Sequence, residues 1–286
     1  MLRIITGESW SGMRTSEVRP HRYAMEFDLA QPWELWSFFA GQYYEAHTQM
    51  LLCTLLQRGE ALVDVGANIG HVTLTGAWRV GVCGSVVAFE PNPLVFERVR
   101  RHVRMNGLDT FVTVHNLALA DKAGSLNLRV PIEGTGGATL GKLGSEYSGK
   151  IAQQHTVRVV VGDDLCADIK KPLVVKIDVE GFESAVIKGM RSTIRRLLPA
   201  MLVEAWPDHL LNAGSSIKEL FALAGELGYQ IYAVRTPLRV RGLTRSARLT
   251  LHRLTSPDAG LTDDVLWLHP DGGHFERIAQ FIQPSV

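Results

Sequence analysis

The chain has 286 residues, of which 46 % are hydrophobic and 21 % charged, and this composition predicts a globular protein with a sizeable core. Its 30 basic and 29 acidic residues give a net charge of +1, which does not favour a nucleic acid or an anionic membrane as partner. The three cysteines are isolated, and we find neither the pattern of a secretory leader nor an apolar run long enough to span a bilayer. These features favour a soluble, cytoplasmic protein.

Short apolar runs alternate with helical patterns from about residue 60 to residue 235, which is typical of an α/β fold whose parallel sheet is covered by helices on both faces. We expect seven strands, at 61–67, 84–90, 111–119, 173–178, 200–206, 230–234 and 264–270. The clearest helix follows the second strand, with Asn92 as its cap and Pro93 in its first position. We expect four of its arginines to form a solvated face: Arg98, Arg100, Arg101 and Arg104.

Three segments fall outside this alternation. Residues 1–59 are rich in aromatic side chains before a predicted helix at 45–57, and we expect an N-terminal cap, with an acceptor pocket or a homodimer contact as the alternatives. Residues 133–150 are glycine-rich and predict a mobile surface loop. Residues 235–253 carry six arginines and no acid, which predicts a solvated loop or a site for an anionic group. The main domain is then 60–286, with acceptor-side insertions at 121–160 and 235–263.

The first predicted strand runs into DVGANIG at 64–70, a glycine-rich turn at a helix N-terminus, where unpaired backbone N–H groups favour an anionic ligand. Gly66 and Gly70 fit such a turn, but Asn68 replaces the middle glycine of a dinucleotide site, and the Asp64 carboxylate would repel a pyrophosphate. S-adenosylmethionine carries an ammonium group as well as a carboxylate. The turn therefore favours S-adenosylmethionine over a dinucleotide.

The ends of the next two strands offer further contacts to a nucleoside. Glu90, followed by Pro91, lies 24 residues after Gly66 and can accept hydrogen bonds from both ribose hydroxyls. Backbone groups near Leu119 and the side chain of Asp121 can meet an adenine edge, although Asp121 fits a simple turn equally well.

The fourth strand ends in KIDVEGFE at 176–183, at the sheet edge where ligands of open parallel sheets bind. Asp178 is the first candidate for a general base or for a residue that orients an acceptor hydroxyl, and Glu180, on the same face of an extended strand, is the second. Glu204 and His209, after the fifth strand, are the third. Lys176 can neutralise Asp178 and Glu180. Glu183 is more simply explained as stabilising the N-terminus of the next helix.

A divalent metal held by Asp178, Glu180 and Glu204 is conceivable, because hard oxygen ligands suit magnesium. The sequence does not favour it, since a third acid at an unmistakable metal-ligand spacing is missing.

A set of ordered motifs resembles the FkbM family of S-adenosylmethionine-dependent methyltransferases. The motifs are YYE at 43–45, DVGANIG at 64–70, FEPNP at 89–93, NLALAD at 116–121, VVGDDL at 160–165, KIDVEGFE at 176–183, VEAW at 203–206 and the closing DVLWLHP at 264–270. The resemblance implies a class I, Rossmann-like methyltransferase fold of seven strands with the last antiparallel. It also implies O-methylation of a small-molecule hydroxyl on a sugar, polyketide or other secondary metabolite, and a role for Glu45 at the methionine end of the cofactor.

Two departures from the family pattern, Gly162 in VVGDDL and the glycine content of 133–150, put the acceptor in doubt rather than the cofactor. Two other functions compete with methyl transfer: a nicotinamide-dependent oxidoreductase on a similar sheet, and a non-catalytic cofactor-binding protein. The sequence does not identify the acceptor.

Overall fold

The computed structural model describes residues 11–18, 21–40, 46–143, 150–169, 172–235, 238–241, 244–247, 249–257 and 264–283. Their strands are β1 (Met13–Val18), β2 (Tyr23–Asp28), β3 (Ala61–Val65), β4 (Ser85–Phe89), β5 (Val112–His115), β6 (Ala118–Ala120), β7 (Gly124–Pro131), β8 (Ile151–Val161), β9 (Leu173–Ile177), β10 (Ala200–Val203), β11 (Gln230–Arg235), β12 (Leu238–Arg241), β13 (Thr244–Ala247), β14 (Thr250–Leu254) and β15 (Val265–Leu268). Their α-helices are α1 (Pro32–Ala40), α2 (Ala46–Leu55), α3 (His71–Val80), α4 (Pro93–Met105), α5 (Gly162–Cys166), α6 (Glu183–Gly189), α7 (Arg191–Leu197), α8 (Pro207–Asn212), α9 (Ile217–Glu226) and α10 (Phe275–Ile278), with single 3₁₀ turns at Thr135–Gly137 and Ala279–Phe281.

The central sheet has eight strands in the order β14-β11-β15-β10-β9-β3-β4-β5. The five strands from β10 to β5 in this order are parallel to one another, whereas β15 is antiparallel to both of its neighbours. The mainly parallel α/β sheet with an antiparallel last strand is therefore confirmed.

Alternating side chains of the central strands feed two cores, one on each face of the sheet. Val63 and Val65 of β3 pack on one face in a cluster that includes Val186 of α6 and Leu220 of α9. Leu62 lies on the other face in a cluster with side chains from α2, α3 and α4. Because the strands are buried on both faces, their sequences read as continuous apolar runs, which is why they could be predicted.

The sheet has one strand more than the sequence predicted. Strand β14 pairs antiparallel with β11 and begins within 235–253, where we expected a loop. The structure also places the antiparallel pair of β12 and β13 in that segment. Leu251 of β14 is fully buried, so hydrophobic burial fixes this edge strand despite the surrounding arginines.

The third predicted strand, 111–119, is in fact two strands in two sheets. β5 completes the central sheet, and β6 begins a separate sheet in the order β6-β8-β7. Strands β7 and β8 pair antiparallel across the predicted insertion at 121–160 and bury Leu128, Val157 and Val159. The segment 133–150 follows β7. In its described part Thr139 forms a β-bridge with Arg129 of β7, so this part is not a free loop.

The N-terminal strands pack on α3 and α4. Met25 and Phe27 of β2 share a core with Ile69, Leu74 and Val95. Helix α2 agrees with the predicted helix at 45–57, whereas the division into a 1–59 cap and a 60–286 domain stays a prediction.

The predicted solvated face of α4 needs correction. The Asn92 side chain caps this helix at the Leu94 N–H, as predicted. Arg98, however, donates two hydrogen bonds to the fully buried carboxylate of Glu34, at 2.8 and 2.6 Å. Arg101 pairs with Glu26 at 2.6 Å. These two arginines tie the N-terminal segment to α4, and the Arg98 contact supplies the charged partner that the buried Glu34 carboxylate needs.

Candidate active site

The candidate site lies at the carboxyl ends of the parallel strands, at the point where successive strands stop being added on one side of β3 and continue on the other. From β3 the chain passes to β4 and β5 on one side, and it later returns to β9 on the other side of β3. Such a switch point opens a crevice for ligands. A cleft lies here, and ten of the residues singled out in the sequence line it: Asp64, Gly66, Asn68, Glu90, Pro91, Leu119, Lys176, Asp178, Glu180 and Glu204.

The turns after β3 and β9 touch at the base of the cleft. Gly66 has a φ of 86°, and a Cβ on it would lie 1.7 Å from the carbonyl oxygen of Asp178. Glycine is therefore required at this position both for its backbone conformation and for space.

We expect Gly66→Ala to lower the free energy of unfolding by roughly 2–5 kcal/mol, the sum of left-handed backbone strain and overpacking. Gly107→Ala is the matched control, because Gly107 also has a positive φ, of 65°, but nothing lies within 4 Å of its Cβ position. Urea denaturation measures both variants. Equal losses in the two would contradict the close contact at Gly66.

Four backbone amides of the turn at 64–70 are already occupied within the protein, which reduces the number that can bind an anion. The N–H groups of Gly66 and Ala67 both donate to the Phe89 carbonyl, at 3.0 Å, and that of Gly70 donates to Ala67. The N–H of Asn68 donates to the Glu90 carboxylate at 2.8 Å. With these amides occupied, the turn is a poor site for a phosphate.

Two acceptor atoms of this turn are instead buried without a hydrogen-bond partner among the described residues, Oδ1 of Asp64 and Oδ1 of Asn68. Both residues line the cleft. The other carboxylate oxygen of Asp64 accepts from Thr73 Oγ1 at 2.5 Å. Burial raises the pKa of Asp64 to about 6, against the effects of Thr73 and of the Lys176 charge. A ligand suited to this wall must bring hydrogen-bond donors.

Glu90 directly follows β4 and has a fixed orientation. Its two carboxylate oxygens accept from the N–H groups of Asn68 and Asn92, each at 2.8 Å. Burial raises the pKa of Glu90 to about 8, although both hydrogen bonds oppose the shift. Each oxygen keeps a lone pair for a further donor.

Of the remaining predicted cofactor contacts, the structure places only some at the cleft. Leu119 lines the cleft, whereas Asp121 is exposed and is not part of its lining. Gly70 is the N-cap of α3, with a φ of 96°, and shapes the turn without lining the cleft. Glu45 lies outside the described residues.

Lys176 is the centre of a buried charge network at the cleft floor. Its ammonium group is 2 % exposed and lies 3.1 Å from Asp178 Oδ2 and 3.1 and 3.2 Å from the oxygens of Asp264. Asp264 also accepts from Thr48 of α2, at 2.9 Å. Lys176 thus neutralises Asp178, one of the two predicted acids, together with Asp264, which the sequence did not indicate.

Glu180 is not part of an extended strand, as we had expected. β9 ends at Ile177, and Glu180 has a φ of 53°, in the left-handed region. Glu183 holds this turn, because its buried carboxylate accepts from the N–H groups of Val179 and Gly181 at 3.0 and 3.1 Å. These contacts support the structural role suggested for Glu183.

The turn brings Glu180 to His209 of α8 and to Glu204. His209 Nδ1 lies 2.8 Å from Glu180 Oε2 and 3.6 Å from Glu204 Oε1, and the Trp206 ring stacks on the imidazole. Burial, and then the charges of Asp178 and Glu180, raise the pKa of Glu204 well above its ordinary value. Burial opposes a charge on His209, yet the two glutamates raise its pKa to about 11. An imidazole that already carries a proton is a poor base.

Two further parts of the chain contribute residues to the cleft that the sequence did not single out. His71, at the start of α3, is buried against it, and burial lowers the pKa of His71 to about 3. A wall is formed by Thr135, Gly136, Ala138 and Leu140, which belong to the glycine-rich segment. The glycines alone indicated a loop, and the side it covers is set by the β7–β8 pair.

Comparison with known proteins places this site in a family. Residues 64–231 match the family model of the methyltransferase FkbM domain. The hexuronic acid methyltransferase AglP of Haloferax volcanii is 29 % identical over 229 residues, which cover 76 % of this chain and 85 % of AglP.

Two solved structures show weaker likeness. The methyltransferase FkbM of Methylobacillus flagellatus KT is 21 % identical, with a TM-score of 0.42; the match covers 76 % of this chain and 48 % of that chain, so this chain spans about half its length. An S-adenosylmethionine-dependent O-methyltransferase of Thermotoga maritima is 11 % identical, with a TM-score of 0.42 and coverage of 79 % and 66 %. Since the family model matches more than half of the chain, this protein belongs to the FkbM family of methyltransferases.

Proposed function

We propose that this methyltransferase transfers the methyl group of S-adenosylmethionine to an oxygen atom of a sugar-containing small molecule. Membership of a methyltransferase family implies S-adenosylmethionine as the donor. A sugar acceptor is supported by the hexuronic acid named for the relative AglP. A polyketide or another hydroxylated metabolite is the alternative acceptor.

The observation that carries the proposal is the chemistry of the cleft wall after β3 and β4. Asp64 and Asn68 offer buried acceptor atoms that lack donors in the described part of the chain, and Glu90 offers two oriented oxygens. S-adenosylmethionine supplies matching donors, an ammonium group and two ribose hydroxyls. The pyrophosphate of a nicotinamide cofactor supplies only acceptors, so an oxidoreductase is disfavoured.

The acceptor side of the same cleft is formed by carboxylates. When bound, S-adenosylmethionine supplies an electrophilic methyl carbon. We assign Asp178 to the acceptor hydroxyl: it orients the oxygen and takes the proton as the new carbon–oxygen bond forms and the carbon–sulfur bond breaks. Holding the two reacting atoms together contributes up to roughly 7–11 kcal/mol in favourable systems. Lys176 fixes the Asp178 carboxylate for this task.

Calorimetric titration tests the cofactor. We expect S-adenosylmethionine to bind and NAD not to bind. Glu90→Ala should weaken S-adenosylmethionine binding by about 10–100-fold, because it removes the acceptor of two hydrogen bonds from the ribose, each worth roughly 0.5–1.5 kcal/mol. Glu97→Ala, which removes an exposed carboxylate from α4, is the control and should change nothing.

Two results would count against the assignment. If NAD binds more tightly than S-adenosylmethionine, the assignment of S-adenosylmethionine as the cofactor is wrong. If Glu90→Ala binds S-adenosylmethionine as tightly as the unmodified protein, the cofactor does not lie along β4. Release of S-adenosylhomocysteine with hydroxylated sugars then tests the acceptor.

A further inference from the structure

We propose that Glu180, Glu204 and His209 bind one divalent cation on the acceptor side of the cleft. Two carboxylates with one imidazole suit manganese and related transition ions better than magnesium, which prefers oxygen ligands alone. The use of this cation in methyl transfer rests on the proposed function, whereas its binding does not.

The three side chains converge on one point. One possible ligand atom from each lies within 4.8 Å of the other two. His209 Nδ1 is 2.8 Å from Glu180 Oε2 and 3.6 Å from Glu204 Oε1. Adjacent ligands at about 2.1 Å from an octahedral cation are about 3 Å apart, so small side-chain rotations suffice for all three to reach one ion.

Each ligand is held by a different part of the backbone. The Glu180 carbonyl accepts from Thr139 Oγ1 at 2.7 Å, and the Glu204 N–H donates to Ile177 at 2.9 Å. The turn carrying Glu180 touches α8, since a Cβ on Gly181 would lie 2.2 Å from the His209 carbonyl oxygen. These contacts arrange the three ligands in the folded chain before any ion arrives.

Glu204 gives an independent indication of a missing partner. Its Oε2 atom is shielded from solvent and has no hydrogen-bond donor among the residues that the structure describes. The residue lines the cleft beside Glu180. A buried carboxylate oxygen without a donor or a cation is costly, and a bound ion would satisfy it.

The charges around the site also favour a cation. Four carboxylates surround it: Asp178, Glu180, Glu183 and Glu204. Within the described ranges the neighbouring cationic groups are Lys176 and His209, and Lys176 is shared with Asp264. A divalent ion would balance this excess of negative charge and would displace the proton from His209 to solvent, because a ligand imidazole is neutral.

Three protein ligands leave coordination positions open for an acceptor oxygen. Coordination would orient that oxygen and ease loss of its proton. The proton would pass to Asp178, while the oxygen forms its bond to the methyl carbon and the carbon–sulfur bond breaks. An acceptor with two neighbouring oxygens, as sugars have, can occupy two positions.

The test is a titration of the chelator-treated full chain with Mn²⁺, followed by calorimetry and by electron paramagnetic resonance. We expect a single binding event. Glu204→Gln and His209→Gln should each weaken Mn²⁺ binding by about ten-fold or more. Glu226→Gln is the control, because Glu226 pairs with Arg191 and Arg195 on the surface and should leave Mn²⁺ binding unchanged. The thermal midpoint and S-adenosylmethionine affinity of every variant check its folding, and two separate ligand variants guard against one that does not fold.

The outcomes separate this site from the proposed function. Absence of Mn²⁺ binding at millimolar concentration, or binding that neither ligand variant weakens, would overturn the cation site. Methyl transfer undiminished in EDTA would overturn the role of the cation and leave the proposed function standing. Mn²⁺ binding that depends on both ligands, in a protein that binds no S-adenosylmethionine, would support the site and count against the proposed function alone.

Discussion

Replacement of Asp178 by asparagine is expected to lower the kcat of methyl transfer by about 10²–10⁴-fold, with S-adenosylmethionine affinity unchanged. Asparagine keeps the shape of the side chain but removes its ability to take a proton. The affinity should be preserved because the donors of the cofactor are matched by Asp64, Asn68 and Glu90, on the other wall of the cleft.

The fold of Asp178→Asn should also be preserved. Lys176 keeps both contacts with Asp264, at 3.1 and 3.2 Å, and an amide oxygen can still accept from its ammonium group. The backbone N–H of residue 178 still donates to Val65, and the contact with Gly66 involves the backbone alone. A loss of rate in this variant therefore reports chemistry.

Single-turnover rates and calorimetry on the same preparations decide the outcome. Asp271→Asn removes an exposed carboxylate, 85 % accessible, and should behave as the unmodified protein. An undiminished kcat in Asp178→Asn would remove Asp178 from the mechanism and turn attention to Glu180. Equal losses of rate and cofactor affinity would point to a structural role instead.

Lys176→Met is expected to lower the free energy of unfolding by about 3–5 kcal/mol, the cost of breaking a buried ion pair by removing one partner. Methionine has nearly the same length, so the loss reports charge rather than volume. Asp264 would be left with Thr48 at 2.9 Å and His47 at 3.5 Å. Burial disfavours its ionised form, yet Lys176 and His47 hold the pKa of Asp264 well below its ordinary value.

A surface pair supplies the matched control. Lys188 and Glu219 are 38 % and 34 % exposed, so Lys188→Met should cost about 1 kcal/mol or less. Adding Asp264→Asn to Lys176→Met should restore part of the stability, because it removes a buried charge that has lost its lysine partner. Urea denaturation of the unmodified protein, the two lysine variants and the double variant gives the four free energies of unfolding to compare. Similar losses for the two lysine variants would show that the cleft floor is not held by this charge network.

The parts of the fold that were predictable are those in which burial is repeated along a short stretch. The apolar runs of β3, β4 and β9 and the cap at Asn92 are local signals. Strand β14 also carried a signal, since buried Leu249 and Leu251 alternate with a less buried residue, but the arginines around it suggested a loop.

The candidate site was predictable only where single strands end in polar residues. Asp64, Glu90 and Asp178 meet because parallel strands end at one edge. The left-handed turn that takes Glu180 to His209 depends on Glu183 and on contact with α8. The partnership of Lys176 with Asp264 joins residues 88 positions apart, and a pattern read along the chain does not contain it.

The place of β15 in the sheet constrains how the protein is made. β15 lies between β10 and β11, both of which leave the ribosome before it. A nascent chain that ends at β14 has a gap in the middle of its sheet, where the fully buried Trp267 belongs, and it lacks the Asp264 partner of Lys176. Two strand edges stay open until β15 has been synthesised, and during that interval they can pair with other chains. We therefore expect chaperones that shield these edges during this interval to raise the yield of folded protein.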